Sequence, residues 1–206
     1  SNTILHLDFT NAGAYDSTTK NELKLFGTTQ ISTGAANTKF GTGSIFFDGN
    51  SDYIETSESH ESFQFGTGEF TIEFFVKILS KSGYATYYNH GYIGTNALLL
   101  QSNNNSSDIR IYLNNVSVFT TAEIPLNTWT HVAVTRDSSD FVRCFLDGRR
   151  SGAGATSTLD FNQTTELTLG QGSTSPPGNY LHGFMDEIRV TKGFVLMLVA
   201  VCTQQK

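Results

Sequence analysis

FTIEFFVKI, residues 70–78, alternates along its length. Phe70, Ile72, Phe74 and Val76 fall on one side, and Thr71, Glu73, Phe75 and Lys77 on the other, because successive strand side chains point to opposite faces. A helix would need apolar residues three and four apart with capping residues at its ends. No stretch of about ten residues in the chain shows that pattern. Working outward, WTHVAVTRD (129–137) sets Trp129, His131, Ala133 and Thr135 against Thr130, Val132 and Val134. DIRIYL (108–113) sets Ile109 and Ile111 against Arg110 and Tyr112. Shorter runs of the same kind include TILHLDF, LKLFG, SIFFDG, DYIETS, ALLLQS, VSVFT, FVRCFLDG, LTLG and MDEIRVTK. Gly-, Asn- and Ser-rich turns such as GTGS, NNNSSD and STSPPGN separate them. Roughly a dozen short strands with turn punctuation predict an all-β, two-sheet antiparallel sandwich rather than βαβ units. No linker or charge block divides the chain, so residues 1–206 are expected to form one domain.

Composition agrees. The 206 residues hold 16 Phe, 8 Tyr and 19 Gly against 3 Pro and 2 Met, the mixture of strand formers and turn residues of a β-rich chain. A chain of this length buries about 70% of its unfolded surface and needs neither disulfide nor metal to hold a core. Net charge is −6 and the longest basic run is Arg149-Arg150, so a nucleic-acid partner, which calls for a basic face, is not expected. Cys144 lies in a strand with apolar residues on both faces and reads as a buried free thiol; spacing gives no support to a Cys144–Cys202 bridge. No signal peptide is visible and the chain starts at Ser1 without Met, as a processed or excised segment would. FVLMLVAVC (194–202) is about half the length of a membrane span. A buried strand is the plain reading of this apolar tail and an oligomer contact the sharper one; membrane insertion is not expected.

FFDGNSDYIE (46–55) places Asp48, Asn50 and Asp52 at alternate positions, like the start of a calcium loop. An EF-type loop would need Gly at its sixth position and an acid at its twelfth; here those are Tyr53 and Ser59. Asp-Gly between two strand-like runs is a hairpin signal, repeated in LDGRR (146–150), and the turn reading is preferred.

Four segments taken in order, HLDFTNAGAYDST (6–18), KFGTGSIFFDGNSDYIE (39–55), FTIEFFVKI with WTHVAVTRD and CFLDGRR, and LTLGQG with YLHGFMDEIRVTKG (180–193), resemble the laminin-G-like branch of the concanavalin A-like lectin/glucanase superfamily. The wording is most similar to modules of bacteriophage tail and other virion proteins and of bacterial surface proteins. The resemblance implies a jelly-roll sandwich with one convex and one concave sheet, displayed extracellularly or on a virion. It also implies a structural Ca²⁺ held by Asp186, with backbone carbonyls from around Asp8 and Gly43. The alternative for Asp186 is a hydrogen bond to a neighbouring loop. Two features depart from the family: Phe75 stands where Trp is frequent, and FVLMLVAVCTQQK follows VTKG in place of an Arg-Tyr pair and a Phe-Pro ending.

Some superfamily relatives cleave β-glucans with carboxylates spaced on one strand face. Glu55, Glu58 and Glu61 do not fit that spacing, Asp186 and Glu187 are adjacent and so point to opposite faces, and no G-x-S-x-G elbow occurs. A catalytic role is not expected, and a degenerate glycoside hydrolase is the least favoured reading. Binding fits better. SGYATYYNHGYIGTN (82–96) gathers Tyr84, Tyr87, Tyr88, His90 and Tyr92, rings whose flat faces and polar tips suit recognition of cell-surface carbohydrate. Half of these rings are expected to be core residues instead. The expected function is thus a non-enzymatic, lectin-like adhesion module that binds surface glycans. The competing class is an assembly or decoration domain that touches only other virion or surface proteins.

Overall fold

A computed structural model of the chain describes residues 2–10, 13–57, 61–91, 96–114, 116–174 and 177–193. Along these residues run strands β1 (Thr3–Leu7), β2 (Leu23–Phe26), β3 (Gln30–Ser32), β4 (Ser44–Asp48), β5 (Tyr53–Thr56), β6 (Phe70–Ile78), β7 (Thr86–His90), β8 (Leu98–Gln101), β9 (Arg110–Leu113), β10 (Val116–Thr120), β11 (Thr130–Arg136), β12 (Phe141–Leu146), β13 (Arg149–Thr156), β14 (Leu167–Leu169), β15 (Ser173–Thr174), β16 (Pro177–Gly178) and β17 (His182–Lys192). Fifteen of them form two antiparallel sheets, and β15 pairs with β16 separately. The eight-stranded sheet runs β13-β12-β11-β6-β17-β4-β3, with β1 also on β17, and the seven-stranded sheet runs β10-β9-β8-β7-β14-β5-β2. This is the two-sheet antiparallel sandwich that the alternation predicts, in the jelly-roll form that the resemblance implies. Among the described residues no helix is long and apolar enough to cross a membrane.

The periodicity of FTIEFFVKI sets the core. Phe70, Ile72, Phe74 and Val76 are fully buried, as are Val132 and Val134 of β11, and they meet Ile54, Leu98, Leu100, Ile109 and Ile111 of the other sheet in one apolar cluster. Each buried ring or branched side chain contributes roughly 1.5–3 kcal/mol. Cys144 of β12 is a free, buried thiol; burial pushes its pKa up to about 12, which suppresses the reactive thiolate. Cys202, and the apolar stretch 194–202 that contains it, lie outside the described residues.

The two Asp-Gly turns differ. Asp147 and Gly148 both take positive φ, 48° and 74°, and close the β12–β13 hairpin as expected of a primed turn. At the other Asp-Gly, β4 and β5 belong to different sheets, so this turn is a corner and not a hairpin. Its side chains explain the change of direction. The Asp48 carboxylate accepts the N–H groups of Asn50, Ser51 and Asp52. The buried Asp52 carboxylate in turn accepts those of Asp48 and Thr28. The turn reading of FDGNSD thus stands, and its acids are spent on backbone hydrogen bonds.

Along β17, His182–Met185 pairs with β4 and Ile188–Thr191 with β1, while β6 lines the opposite edge. The register shifts between Asp186 and Arg189, and Glu187 has φ 48°. This bulge sits where β4 and β1 part, and it turns Asp186 into the gap between them.

Candidate functional site

The tyrosine segment divides sharply. Tyr84 is 39% exposed, whereas Tyr87 and Tyr88 are 0% and His90 is 2% exposed. Tyr92 lies outside the described residues. The cause of the double burial is a bulge: Thr86 pairs with Gln101 and Tyr88 with Leu100, a step of two residues on β7 against one on β8. A bulge of this kind aims adjacent side chains toward the same face, and both rings join the core, Tyr87 stacking on Phe74. Tyr87, Tyr88 and His90 therefore offer no surface to a ligand, which corrects their assignment as recognition residues; Tyr84 keeps an open face. His90 Nε2 is 3.1 Å from the Thr165 carbonyl oxygen, to which it can only donate.

The Tyr88 hydroxyl is buried with no partner among the described residues. Removing an unsatisfied buried hydroxyl relieves its desolvation cost, so Tyr88→Phe is expected to raise stability by about 1 kcal/mol in denaturant unfolding. Retained glycan binding in the same variant would verify that the ring is a core residue.

The outward face of the seven-stranded sheet carries accessible rings at both ends, while exposed Phe40 packs on Phe75 of the other sheet. The register places Lys24, Phe26, Tyr53, Glu55, Thr168, Asn89, Thr86, Gln101, Arg110 and Tyr112 on that face. At one end Phe26 and Tyr53 stack, centroids 4.3 Å apart and planes within 1°; both rings are half-buried. At the other end the Arg110 guanidinium lies 5.4 Å from the Tyr84 centroid and 4.7 Å from that of Tyr112. Between them runs a buried polar layer: Asn89 donates to Thr168 Oγ1, and Gln101 donates to Thr86 Oγ1, all four residues at most 5% exposed. Residues 170–172 and 178–181 lie over this layer. Asn179 accepts the Thr86 N–H, and Gly172 fits so closely that an added Cβ would lie 2.1 Å from Thr86 Oγ1. Glycine is required there by space and not by φ.

Asp186, Asp8 and Gly43 are brought to one place. Leu7 pairs with Ile188 and Ile45 with Met185, so Asp8 and Gly43 both enter the gap beside the bulge. A Cβ on Gly43 would lie 2.5 Å from the Phe9 carbonyl oxygen. The chemistry within the gap is that of an anion holder. Asp186, 0% exposed, accepts N–H groups of Lys39 and Phe40 on Oδ2 and of Glu187 on Oδ1. Burial nevertheless raises its pKa to about 6, because desolvation outweighs these donors. Asp8 turns its carboxylate onto its own loop, accepting from Thr10 and Ser17. The hydrogen bond from Asp186 to a neighbouring loop is thus present, and its donors use lone pairs that a cation would need. Among the described residues no three His, Cys, Asp or Glu side chains cluster as a metal site.

With the fold and this face in view, known proteins can be compared. A family model described as the concanavalin A-like lectin/glucanases superfamily matches residues 48–195. The chain belongs to that superfamily. Comparison with curated protein sequences finds no match. Among solved structures, the chain is similar to domain 4 of AbnA, a GH43 extracellular arabinanase from Geobacillus stearothermophilus, in complex with arabinotriose. The TM-score is 0.67 at 17% identity, over 93% of this chain and 92% of that one. The binding domain of Paraclostridial Mosquitocidal Protein 1 gives 0.67 at 12% identity, and the receptor binding domain of the botulinum neurotoxin C/D mosaic serotype 0.67 at 15%. Each covers 94% of this chain, which spans 49% of either toxin chain. These likenesses, at low identity, establish the shared sandwich.

Within that superfamily fold, the outward residues that sequence reasoning left aside are Phe26, Tyr53, Arg110 and Tyr112. A signal for the last two was present, since DIRIYL already sets Arg110 and Tyr112 opposite the core isoleucines. Nothing local marks Phe26 and Tyr53 as neighbours; their contact depends on β2 pairing with β5 across a long separation.

Proposed function

We propose that this chain is a non-catalytic, extracellular carbohydrate-binding module whose sugar site is the outward face of the seven-stranded sheet. The observation that carries the reading is one face with accessible rings at both ends, half-buried Phe26 and Tyr53 at one and exposed Tyr84 with half-buried Tyr112 at the other. Sugars present C–H faces that stack on rings, and the accessible Lys24, Glu55 and Arg110 on the same face can meet their hydroxyls. The similarity to a domain solved with arabinotriose, and to toxin binding domains, supports binding over catalysis. Display on a virion or bacterial surface is part of the same proposal, and an assembly role through protein contacts is its alternative.

The test is a glycan array probed with the purified chain, with Ca²⁺ and again with EDTA. Selective binding is expected, and Tyr53→Ala should weaken it about 10- to 100-fold, the usual loss for truncating an aromatic anchor. A blank array would overturn the module and leave the assembly role. A structural Ca²⁺ is a separate proposal: the Asp8–Gly43–Asp186 gap is where it would sit, displacing the Lys39 and Phe40 donors. A melting temperature unmoved by EDTA would exclude it.

One observation favours hydrolysis. Glu55 shares the proposed sugar face, and its pKa is raised first by burial and then by the charge of Glu166, as for an acid of a carboxylate pair. A reducing-sugar assay on any glycan that binds decides this, with no release expected.

A further inference from the structure

Arg110 is held in an unusual way for a cation on a sheet face. Its guanidinium lies between the rings of Tyr84 and Tyr112. Its Nε is buried without an acceptor. No hydrogen bond or ion pair to another described residue engages its remaining N–H groups. Its cross-strand partners on either side, Gln101 and Thr120, are uncharged, and Gln101 already donates to Thr86. In a chain of net charge −6, whose other partnered arginines find carboxylates or carbonyls (Arg143 with Asp137, Arg189 with Glu73, Arg136 with Gly68), this one has rings alone.

Rings hold a guanidinium by its faces and leave its edge free. The edge is a planar fork of N–H donors that matches two oxygens of one anion. Tyr84, 39% exposed, stands beside the fork, and its face is available to a sugar ring carrying that anion. A purely structural arginine would be expected to satisfy its donors within the protein. Here fixed orientation, a free edge and an adjacent aromatic wall coincide.

We infer that Tyr84, Arg110 and Tyr112 form a subsite for an anionic group on a glycan, a sugar carboxylate or a sulfate ester. The inference rests on the carbohydrate-binding reading above and adds the charge class of its ligand. The subsite lies at the β9 end of the sheet face, opposite the Phe26–Tyr53 stack, so the two would grip different residues of one oligosaccharide.

The experiment compares the whole chain with Arg110→Gln, Arg110→Lys and Tyr84→Ala on oligogalacturonate, a sulfated galactan oligosaccharide, and the neutral parent of each, by titration calorimetry at two salt concentrations. Expected is at least tenfold tighter binding of one or both anionic probes than of their neutral parents, weakened by salt. Arg110→Gln should abolish that preference, weakening the anionic probes at least tenfold more than their neutral parents. Arg110→Lys should keep part of it, because the charge remains and the fork is lost. Tyr84→Ala removes an exposed ring, so it leaves the fold intact and should weaken the anionic probes several-fold. The carboxylate and sulfate arms show which anion is read. Equal binding of charged and neutral sugars, unchanged in Arg110→Gln, overturns the subsite and leaves the carbohydrate reading standing. No binding of any sugar by the whole chain overturns both.

Discussion

Arg136→Met is expected to lower the unfolding free energy by about 3–5 kcal/mol, the scale seen when a buried polar network loses a partner. Arg136 is 0% exposed. It donates from Nε and Nη2 to the Gly68 carbonyl, from Nη2 to that of Gly66 and from Nη1 to that of Leu159. Its planar head lies 4.7 Å from the Phe161 centroid and 5.4 Å from that of Phe70. The side chain therefore ties the lead-in of β6 to the segment before β14, where Gly66 and Phe161 also form an isolated bridge. Burial depresses the arginine pKa, and the charges of Asp140 and Asp160 offset this. Methionine fills much of the space but leaves the Gly68 and Leu159 carbonyls without the guanidinium donors, at about 1–3 kcal/mol for each that stays buried and unpaired, while Gly66 keeps the Phe161 N–H. Arg136→Lys is expected to recover only part of the loss, since a point charge cannot fork to three carbonyls or stack between two rings. Denaturant unfolding monitored by fluorescence measures both, with an unchanged slope. A loss below about 1 kcal/mol in the methionine variant would show that water replaces the guanidinium and that the network is not a structural anchor.

The fold was legible because a strand's two-residue period survives in nearly every element. FTIEFFVKI, WTHVAVTRD and DIRIYL present to the core the faces that their alternation assigns. Legibility ended where the period breaks or where a partner comes from far along the chain. The bulge in β7 brings Tyr87 and Tyr88 to one side, so two rings that read as alternating are both interior. Arg136 continues the inward series of Val132 and Val134, a position where charge is not expected, and its carbonyl partners lie 23 to 70 residues away. The Asp-Gly corner and the Asp-Gly hairpin share a dipeptide; side-chain capture of N–H groups by Asp48 and Asp52 separates them. Recognition was sought in the densest tyrosine run, yet strand formers concentrate in the centre of a sandwich for the same reason that they concentrate in sequence. The half-buried rings Phe26, Tyr53 and Tyr112 come singly, one per strand, and only sheet pairing sets them on one face. Residues 170–181, rich in Gly and Pro, show in sequence as a turn; that Gly172 lies against the sheet's outward face follows only from its contact with Thr86 Oγ1.

His90 sets a second large effect, in acid. The ring is buried against Phe63 and donates to the Thr165 carbonyl, which keeps the neutral ring's proton on Nε2 and only partly offsets the effect of burial. Burial lowers its pKa from 6.5 to about 4. Between those values the unfolded chain binds a proton that the folded chain does not, so the stability contributed by neutral His90 is complete above pH 6.5 and is lost as pH falls toward 4. The gap corresponds to about 3 kcal/mol. Asp186 acts in the opposite sense: with its pKa raised from 3.8 to about 6, the folded chain binds the extra proton and gains stability as pH falls through that range. Whole-protein acid unfolding therefore blends two opposed terms, and the informative quantity is the difference between the wild type and His90→Gln. Glutamine keeps an N–H donor for Thr165 and does not titrate. At pH 7.5 the variant is expected to be less stable by about 1 kcal/mol, from imperfect packing in place of the ring. By pH 4.5 it should be the more stable of the two by about 1–2 kcal/mol, so the curves cross between. Thermal and denaturant unfolding across that range, at constant ionic strength, measure the crossing. Parallel curves would mean that folded His90 titrates as in the unfolded chain, and hence that the ring reaches water through an opening of the sheet near Thr165.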